Sequence, residues 1–444
     1  MNIHSKGPFK DSKSFLSWFR SVGPYIHAFK SKLFIICISS QNFQSNKLKS
    51  LINDIALMQA LGIKIVITYN CWQKTKTQLT SLGQKMIFDE KGPVVDDLTL
   101  QCLKSSLGEM RMSIEALFSS NIPNTPMTNS KIKILSGNFV NAKPVGIHKG
   151  KDYKSAGLVN KIDGEIITRA LNSSAIVLIP PLGFSATGET FSLNPEALAQ
   201  ELSSELEAEK LIFLVDQDLL PNYFNPYPNE ISQETARSFF AESKPSEFLQ
   251  VLHHANTACE NGVHRVHIVP LATDGEILLE LFTQNGVGLL LTKENLNYLR
   301  KATYNDVTAI HSLVNPYEKD GTLNFRGKLK IERDINNFSV LEHDGFIYGC
   351  AGLMIHNDGI TGELYCLIVH PENQGRGEGG KILKHIESEA RHKKLKNLLV
   401  KTTVAEHWFL KNGFESSTHA SMDNNASSPN NNRKSKILKK TIKD

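Results

Sequence analysis

The sequence predicts an α/β chain of two domains, the first with a mainly parallel sheet and the second of the α+β class. Three observations favour this fold class. The length of 444 residues exceeds what one hydrophobic core usually serves. Short apolar strands alternate with helical segments up to Thr292, which is typical of a parallel sheet. From about Leu299 onward, strand-like segments joined by short turns indicate antiparallel pairing.

The first predicted domain comprises residues 1–292, and its strands are short runs of apolar and β-branched residues. Between the first two strands, apolar residues recur at helical spacing up to Gly62, so a helix should connect them. We interpret residues 131–146 as a β-hairpin that turns at residues 136–138. The predicted strands of the main sheet are residues 33–38, 63–69, 175–180, 210–216, 264–269 and 286–292.

The second predicted domain comprises residues 298–444. Residues 337–356 and 360–371 have the pattern of antiparallel strands joined by turns. A helix is expected from residue 377 to about residue 394, and residues 416–432, rich in serine and asparagine, predict a loop. The apolar face of this helix is formed by Ile382, Leu383, Ile386 and Ala390.

Composition argues against several functional classes. The net charge of +5 is mild, and the basic clusters at 391–396 and 433–440 are not interleaved with aromatic residues, so nucleic-acid binding is not expected. No apolar run is long enough for a membrane span, and the first residues lack the apolar core of a secretory signal. The six cysteines form no CxxC pair, so we expect no disulfide framework, no zinc site and a cytoplasmic location.

A glycine-rich turn between a strand and a helix carries the strongest chemical signal in the sequence. Strand residues 364–369 run through His370 and Pro371 into residues 374–380, and an amphipathic helix follows. Glycines there allow backbone N–H groups to approach a ligand closely, and the helix dipole favours an anion. We therefore predict a pyrophosphate site, although glycine also occurs in such turns simply to bend the chain.

Two other phosphate-binding motifs do not fit this turn. A Walker loop needs the pattern GxxxxGK(S/T), which is absent, and the glycine spacing departs from the Rossmann fingerprint. The pattern Q-x-x-G-x-G, formed by Gln374, Gly377 and Gly379, resembles the acetyl-CoA loop of the Gcn5-related N-acetyltransferases (the GNAT family). Residues 407–414, HWFLKNGF, also resemble that family. The resemblance implies that acetyl-CoA is the co-substrate and that it binds at Leu367, Ile368, Val369, Gln374, Gly375, Arg376, Gly377, Gly379 and Gly380.

Glu363 is the candidate general base. Acyl transfer to an amine requires that the ammonium lose a proton, that the thioester carbonyl be polarised and that the leaving thiolate be protonated. Glu363 opens the strand formed by residues 362–369, just before a region where strands are expected to splay. We expect a partly buried carboxylate that acts through a water molecule. The alternative is an exposed glutamate at a strand edge.

The resemblance extends over the whole chain, which is similar to the bacterial N-acetylglutamate synthases. Matching stretches include VGPYIHAFKSKLF, LINDIALMQALGIKIV, ATGETFSLNPEALAQELSSELEAEKLI and GELYCLIVHP. The resemblance implies an amino-acid-kinase-like three-layer sandwich followed by an α+β GNAT domain. It also implies acetyl transfer from acetyl-CoA to L-glutamate, the first step of arginine biosynthesis. In the family the enzyme is a homo-oligomer, often a hexameric ring.

Several site residues follow from this resemblance. Glu363 corresponds to the family's base, and Thr402 occupies a hydroxyl position near the thiol leaving group. Arg326 and Arg433 match two arginines that bind the glutamate carboxylates, and the Cys366 backbone is implied in acceptor binding. Guanidinium groups suit this role because they bind carboxylates through two parallel hydrogen bonds. Without the resemblance, Arg326 would be interpreted as a solvated surface residue and Arg433 as part of a basic tail.

The first domain departs from active amino-acid kinases at two turns. Ser39 and Ser40 stand where those kinases keep a Gly-Gly that receives phosphate, and residues 69–72 replace a second glycine-rich turn. Side chains there would crowd the phosphates of a nucleotide, so phosphoryl transfer is not expected. In the resembled family this domain binds L-arginine as a feedback effector, and Glu280 and Tyr25 are the implied contacts. The alternatives are a carboxylate on a helix surface and an aromatic residue that packs in the core.

Residues 418–432 contain no lysine or arginine, whereas the resembled family has basic residues there, one of which contacts the substrate. A missing charge-assisted contact would cost about 1.5–3 kcal/mol of acceptor binding. Three alternatives stay open: an acetyltransferase for another amine acceptor, a non-catalytic arginine-binding module, and an N-acetylglutamate kinase, against which Ser39 and Ser40 argue. No metal is expected, since acyl transfer with a carboxylate base needs no cation.

Overall fold

The computed structural model divides the chain into two compact units, Met1–Glu294 and Asn295–Asp444, called here the N-terminal unit and the C-terminal unit. The predicted site residues Arg376 and Arg433 lie outside the residues that the structure describes, as do residues 418–432. The described residues are 12–39, 45–89, 92–120, 125–129, 131–219, 230–242, 246–283, 286–292, 298–343, 346–375, 377–416 and 436–442.

Strands and helices alternate along much of the N-terminal unit. Its strands are β1 (Leu33–Ile38), β2 (Lys64–Tyr69), β3 (Ile87–Asp89), β4 (Gly92–Val94), β5 (Ile134–Leu135), β6 (Val140–Pro144), β7 (Ile147–His148), β8 (Lys151–Asp152), β9 (Gly157–Ile162), β10 (Ile176–Leu178), β11 (Leu182–Phe184), β12 (Thr190–Ser192), β13 (Lys210–Val215), β14 (Glu230–Ser232), β15 (Arg265–Pro270) and β16 (Leu289–Thr292). Its helices are α1 (Ser12–Phe29), α2 (Ser45–Ala60), α3 (Trp72–Ser81), α4 (Asp97–Phe118), α5 (Gly164–Asn172), α6 (Pro195–Glu205), α7 (Gln233–Glu242), α8 (Glu247–Glu260) and α9 (Glu276–Phe282).

The main sheet of this unit has the strand order β14-β16-β15-β13-β1-β2-β10-β5. Its neighbouring strands are parallel except for β15 and β16, so the predicted, mainly parallel α/β domain is confirmed. Ile35 and Cys37 pack into the core that α6 and α8 share, while Ile36 and Ile38 on the opposite face are equally buried. Burial on both faces explains why these strands are continuous apolar runs.

The hairpin predicted for residues 131–146 is wrong. β5 joins the main sheet beside β10, whereas β6 belongs to a second sheet with the order β12-β11-β6-β9. The residues between them therefore cross from one sheet to the other. The alternation of apolar residues is real, since Val140 and Ala142 of β6 are buried. Their partners lie on β9, however, later in the chain than the segment in which the hairpin was predicted.

The C-terminal unit has a seven-stranded sheet in the order β17-β18-β19-β20-β21-β23-β22. No helix in the described parts of the chain is long and apolar enough to cross a membrane. The strands of this unit are β17 (Tyr298–Lys301), β18 (Phe338–His343), β19 (Phe346–Ile355), β20 (Thr361–Val369), β21 (Asn397–Thr402), β22 (Glu415–Ser416) and β23 (Lys436–Thr441). Its helices are α10 (Val307–Lys319), α11 (Gly327–Arg333), α12 (Glu378–His392) and α13 (Glu406–Lys411).

The parallel pair β20 and β21 separates partway along its length. The two strands pair from Thr361 and Asn397 as far as Leu364 and Val400. Beyond that point β20 continues beside β19, and β21 continues beside β23. The other neighbouring strands of this sheet are antiparallel, as the sequence predicts. A gap therefore opens in the middle of the sheet without breaking it.

Helix α12 closes one face of the sheet over β18, β19 and β20. Its four predicted apolar residues Ile382, Leu383, Ile386 and Ala390 are all buried in one core cluster with Leu364 of β20. The opposite face packs against α10, and Ile310 and Val314 contribute to that second cluster. Helices thus cover both faces of the sheet on the β20 side of the gap.

We predict that Ile386→Ala destabilises the C-terminal unit by about 2–5 kcal/mol, because it removes a fully buried side chain and leaves a cavity. Hydrogen exchange of the β19 and β20 amides measures the local opening free energy. The control is Lys384→Ala, an exposed position on the same helix that should stay within about 0.5 kcal/mol of the wild type. Equal protection in the two variants would contradict the packing of α12.

Candidate active site

A pocket opens in the C-terminal unit where β20 and β21 separate. Cys366 has a φ of 51°, and the register between β19 and β20 shifts beside it, as in a β-bulge. Such a bulge bends its strand, which turns β20 away from β21. The residues that line the pocket are Thr322, Leu323, Asn324, Arg326, Glu363, Leu364, Tyr365, Cys366, Lys401 and Thr403.

Glu363 lies at the closed end of this separation, one residue before the last paired position of β20. Its side chain is 11% exposed, so the alternative of an exposed strand-edge glutamate is wrong. Oε2 contacts His356 Nε2 at 3.2 Å and Lys401 Nζ at 3.3 Å. A carboxylate held between a histidine and a lysine at the wall of a pocket is placed to take a proton from a ligand. Its role as the base stays a prediction.

Arg326 lines the same pocket and is not a solvated surface residue, since only 15% of its side chain is exposed. The guanidinium carbon lies 4.1 Å from the centre of the Tyr365 ring. That ring lies across Gly352, where a side-chain carbon would come within 2.2 Å of it. This contact helps to hold the guanidinium at the pocket wall, and a guanidinium can bind a carboxylate through two hydrogen bonds.

Cys366 lines the pocket, and its thiol is buried. Burial raises the pKa of its thiol to about 11, so the sulfur stays protonated at neutral pH. Its backbone bends β20, as described above. The structure is compatible with the predicted backbone contact to an acceptor, which stays a prediction.

Thr402 lies at the end of β21 and is buried. Its Oγ1 accepts a hydrogen bond of 3.0 Å from the Ala405 N–H. The hydroxyl proton is therefore directed away from that bond and can be donated to another acceptor. Thr402 is not among the residues that line the pocket, and its role as proton donor to a leaving thiolate stays a prediction.

The glycine-rich turn leads from β20 into α12. Gly375 and Gly377 have φ of 82° and 84°, a conformation that glycine adopts without strain. Gly377 is the N-cap of α12, and the Gly380 and Lys381 N–H groups already donate to its carbonyl. Earlier N–H groups of the first turn have no acceptor within the helix, so they can bind an anion. Trp408 packs on Gly379, where a side-chain carbon would lie 3.3 Å from the indole.

The predicted coenzyme contacts on β20 lie beyond the separation of the strands. Leu367, Ile368 and Val369 pair with or adjoin β19 on one edge, and β21 no longer pairs with the other edge. The Gln374 side chain stabilises the turn itself, since Nε2 donates to the Val369 carbonyl at 2.8 Å and to the Tyr317 hydroxyl at 3.3 Å. The residues therefore fit a thioester carrier with phosphate groups: an open strand edge continues into an anion-binding turn.

In the N-terminal unit, Glu280 is buried inside a hydrogen-bond network, so the alternative of a carboxylate on a helix surface is wrong. Oε1 contacts His267 Nδ1 at 2.7 Å, and Oε2 accepts from the Val287 and Gly288 N–H groups at 2.7 and 2.8 Å. Gly286 permits this approach, because a side-chain carbon there would lie 2.5 Å from Oε2. On the far side of the imidazole, His267 Nε2 lies 3.2 Å from Lys210 Nζ.

Charge fixes the tautomer in this network. Burial by itself raises the pKa of Glu280, but the hydrogen bonds from His267, Gly288 and Val287 outweigh it and lower that pKa. Burial and the neighbouring Lys210 lower the pKa of His267. His267 is therefore neutral, its Nδ1–H donates to Glu280, and its Nε2 accepts from Lys210.

Tyr25 is buried on α1 and joins this network through an aromatic residue. Its ring centre lies 5.9 Å from that of Phe29, and Lys210 Nζ lies 5.0 Å from the centre of the Phe29 ring. Tyr25 therefore packs in the core, as the alternative interpretation of this residue states. The contact between Tyr25 and an effector stays a prediction.

The two turns that distinguish this unit from a kinase lie at the ends of β1 and β2. Ser39 follows β1, and Ser40 lies outside the described residues. Asn70 closes the second turn, with Oδ1 accepting from the Trp72 N–H at 2.9 Å and Nδ2 donating to Glu196 at 3.4 Å. Burial raises the pKa of Glu196. A buried carboxyl group is a poor neighbour for phosphate, although the loss of phosphoryl transfer stays a prediction.

Four residues of the two sites were not predicted from the sequence. Lys210 and His267 stand within apolar strands, and this unusual position is the only signal that the sequence gives. His356 and Lys401 are separated from Glu363 by 7 and 38 residues. No motif marks either of them, because their proximity to Glu363 depends on the pairing of three strands.

The sequence matches two family models, one in each unit. Residues 32–270 match the amino acid kinase family, and residues 334–416 match the acetyltransferase (GNAT) domain. The fold and the pocket between the separating strands thus define a class, the acyltransferases in which a GNAT domain follows an amino-acid-kinase-like domain.

Relatives that match nearly the whole chain narrow this class. The amino-acid acetyltransferase of Ralstonia nicotianae is 43% identical over 417 residues, which cover 94% of this chain and 92% of the relative. That of Ectopseudomonas mendocina is 35% identical over 429 residues, 96% and 99% of the two chains. The crystal structure of N-acetylglutamate synthase from Neisseria gonorrhoeae complexed with coenzyme A and L-arginine has a TM-score of 0.86 and 30% identity, covering 97% of this chain and 100% of that one. The chain belongs to this family of amino-acid acetyltransferases, the N-acetylglutamate synthases.

We predict that acid weakens the N-terminal unit through His267. Its folded-state pKa lies below the unfolded value of about 6.5, so the unfolded chain binds more protons below that pH and stability falls as the pH falls. His267→Gln should reduce the slope of unfolding free energy against pH by up to about 1.4 kcal/mol per unit below about pH 6.5.

Hydrogen exchange of the β13 and β15 amides, corrected for the intrinsic pH dependence of exchange, measures this slope. The matched control is His264→Gln, an exposed histidine just before β15. That variant should keep the wild-type slope. A His267 variant with the wild-type slope would show that His267 is not held neutral by its surroundings.

Proposed function

We propose that this chain transfers the acetyl group of acetyl-CoA to the α-amino group of L-glutamate and that L-arginine regulates the reaction. The observation that carries the proposal is the presence of Glu363 and Arg326 in one pocket at the separation of β20 and β21. A candidate base and a carboxylate-binding group thus face the same space. The Neisseria gonorrhoeae enzyme, at 30% and 31% identity, was crystallised with coenzyme A and either L-arginine or N-acetyl-glutamate, which supports these ligands.

The proposed reaction begins at Glu363, which takes a proton from the ammonium group through a water molecule. The freed amine attacks the thioester carbon, and N–H groups on the open edge of β20 stabilise the oxyanion. Collapse of the tetrahedral intermediate breaks the C–S bond. Thr402 donates its proton to the leaving thiolate and regains one from the attacking nitrogen, so the reaction releases one proton overall.

Acceptor recognition is assigned to the side of the pocket formed by Arg326 and the Cys366 backbone. The guanidinium, held against Tyr365, binds one glutamate carboxylate through two hydrogen bonds. Arg433 remains the predicted partner of the second carboxylate. An acceptor that carries a carboxylate is favoured over an amine without one, because the Arg326 guanidinium lines the pocket and its ion pair with Asp334 is long, at 3.9 Å.

We assign effector binding to residues 1–292 and acetyl transfer to residues 298–444. Glu280 is the proposed partner of the arginine guanidinium, and Tyr25 lies in the adjoining aromatic cluster. Oε1 of Glu280 accepts one hydrogen bond and Oε2 accepts two, so a guanidinium uses the free lone pair of Oε1 or replaces a donor. Neutral His267 is the donor that a charged guanidinium displaces most easily, since charged donors form the stronger bonds.

Further partners of the chain stay predictions from the sequence. The chain is predicted to form a homo-oligomer with further copies of itself. Its predicted location is the cytoplasm, where L-glutamate, acetyl-CoA and L-arginine are its small-molecule ligands. No phosphoryl transfer is assigned to the N-terminal unit.

The proposed base is tested by following CoA thiol release from the full-length protein with acetyl-CoA and a panel of amino acids. Glu363→Gln should lower kcat with glutamate by about 100-fold or more, because it removes a general base. Glu415→Gln changes an exposed glutamate on β22 and should retain the wild-type rate.

The same panel separates the alternatives. Turnover with another acceptor but not with glutamate would retain the acetyltransferase and reject the glutamate assignment. Arginine binding without turnover of any acceptor would leave a non-catalytic arginine-binding module.

We predict that Glu280→Gln abolishes the response to arginine, because the amide cannot form an ion pair with guanidinium. The measurement is the ratio of acetyl-transfer rates with and without arginine. The exposed Glu234→Gln on α7 serves as the matched control and should keep the wild-type ratio. An unchanged ratio in the Glu280 variant would place the effector elsewhere.

A further inference from the structure

The carboxylate of Glu363 contacts a nitrogen-containing side chain on each of two sides. Lys401 approaches from β21, and its side chain is 46% exposed and lines the pocket. His356 approaches from the turn between β19 and β20, and its side chain is 17% exposed. Both nitrogens lie near the same oxygen, Oε2, at 3.3 and 3.2 Å. Glu363 is therefore held between the pocket and the turn.

The turn that carries His356 is firmly hydrogen-bonded. The His356 N–H donates to the Thr361 carbonyl at 2.9 Å, and the His356 carbonyl accepts from the Gly359 N–H at 3.0 Å. Asp358 accepts from the N–H groups of Ile360 and Thr361 at 3.0 and 2.9 Å. Hydrogen bonds from Thr361, above all, lower the pKa of Asp358, and the nearby His356 acts in the same direction. An imidazole on this turn thus has a fixed position beside an anion.

As the proposed base, Glu363 gains one proton in every turnover and has to lose it before the next turnover begins. The acceptor and then the product occupy the pocket, which obstructs release of the proton on that side. An ammonium group has three donors and no acceptor, so a lysine is a poorer proton acceptor than an imidazole. Imidazole can accept a proton at one nitrogen near neutral pH and lose it to water. His356 contacts Glu363 but does not line the pocket.

We propose that His356 is the proton exit of the active site. The ammonium proton passes to the Glu363 carboxyl group, then from Oε2 to His356 Nε2, and finally to bulk water at the turn. One proton leaves per acetyl group transferred, which matches the proton that the reaction releases. His356 acts through Glu363 and is a positioning residue: it orients the carboxylate and returns it to the ionised form. This inference rests on the proposed function and extends it.

Three charged side chains face His356. Glu363 faces it from β20, Asp358 from its own turn, and Lys401 from β21 behind Glu363. Without the imidazole, return of the carboxylate depends on small buffer bases that can enter from solvent, so kcat should become dependent on buffer concentration.

The test compares His356→Gln with His392→Gln in the full-length protein, using glutamate and acetyl-CoA as substrates. Glutamine can still donate a hydrogen bond to Glu363 but cannot carry a proton. We expect His356→Gln to lower kcat roughly tenfold at neutral pH, at the lower limit of a proton-transfer effect, with KM for glutamate unchanged. Added imidazole should restore kcat of this variant and leave the wild type unaffected. His392 is exposed at the end of α12, and its variant should behave as wild type.

Two results would contradict the proposal that His356 is the proton exit. Wild-type kcat in His356→Gln, at every pH and buffer concentration, shows that no proton passes through the imidazole. A lowered kcat with raised KM and no response to imidazole shows that His356 only supports the fold of the turn. If the wild type acetylates no glutamate at all, the proposed function fails along with the exit. Turnover by the wild type with an insensitive His356 variant rejects the exit alone.

Discussion

The early end of pairing between β20 and β21 is the constraint on which the acetyltransferase unit depends. Parallel strands normally satisfy each other's backbone groups along their whole length, and here they stop after Leu364 and Val400. Flanking strands hold both strands in place, so the sheet keeps its stability while one strand edge is left open. The pocket, the Glu363 carboxylate and the approach to the glycine-rich turn all follow from that open edge. The bulge at Cys366 is the local cause, because it bends β20 at this point.

The two units use buried charge in different ways. In the N-terminal unit, Lys210, His267 and Glu280 form a closed series in which each polar atom described has a partner from the chain itself. Breaking such a buried network is costly, so a ligand that enters must replace the bonds that it displaces. In the C-terminal unit, Glu363 lies at a pocket wall with Lys401 half exposed beside it. A small molecule can reach that carboxylate without a large rearrangement, which suits a site of repeated turnover.

Much of this architecture could be predicted from local sequence. Doubly buried strands such as β1 and β13 are continuous apolar runs, and α12 shows its buried face by the spacing of Ile382 and Ile386. The residues at 131–146 misled the prediction because local alternation does not reveal which later strand provides the partner. His356 and Lys401 were beyond reach for a related reason: neither is unusual in its own segment, and only the sheet places them beside Glu363. Long-range pairing, not local preference, assembles the candidate site.

All six cysteines of the chain are buried as free thiols. Burial raises the pKa of Cys37, Cys71, Cys350 and Cys366, which keeps them in the unreactive thiol form. The folded protein should therefore react only slowly with thiol reagents, because these reagents attack thiolates that are exposed at the surface. A disulfide dye added during turnover would titrate coenzyme rather than enzyme. A single cysteine introduced on the surface would likewise be labelled without background, so spectroscopic probes could be attached to the native chain without first removing its own cysteines.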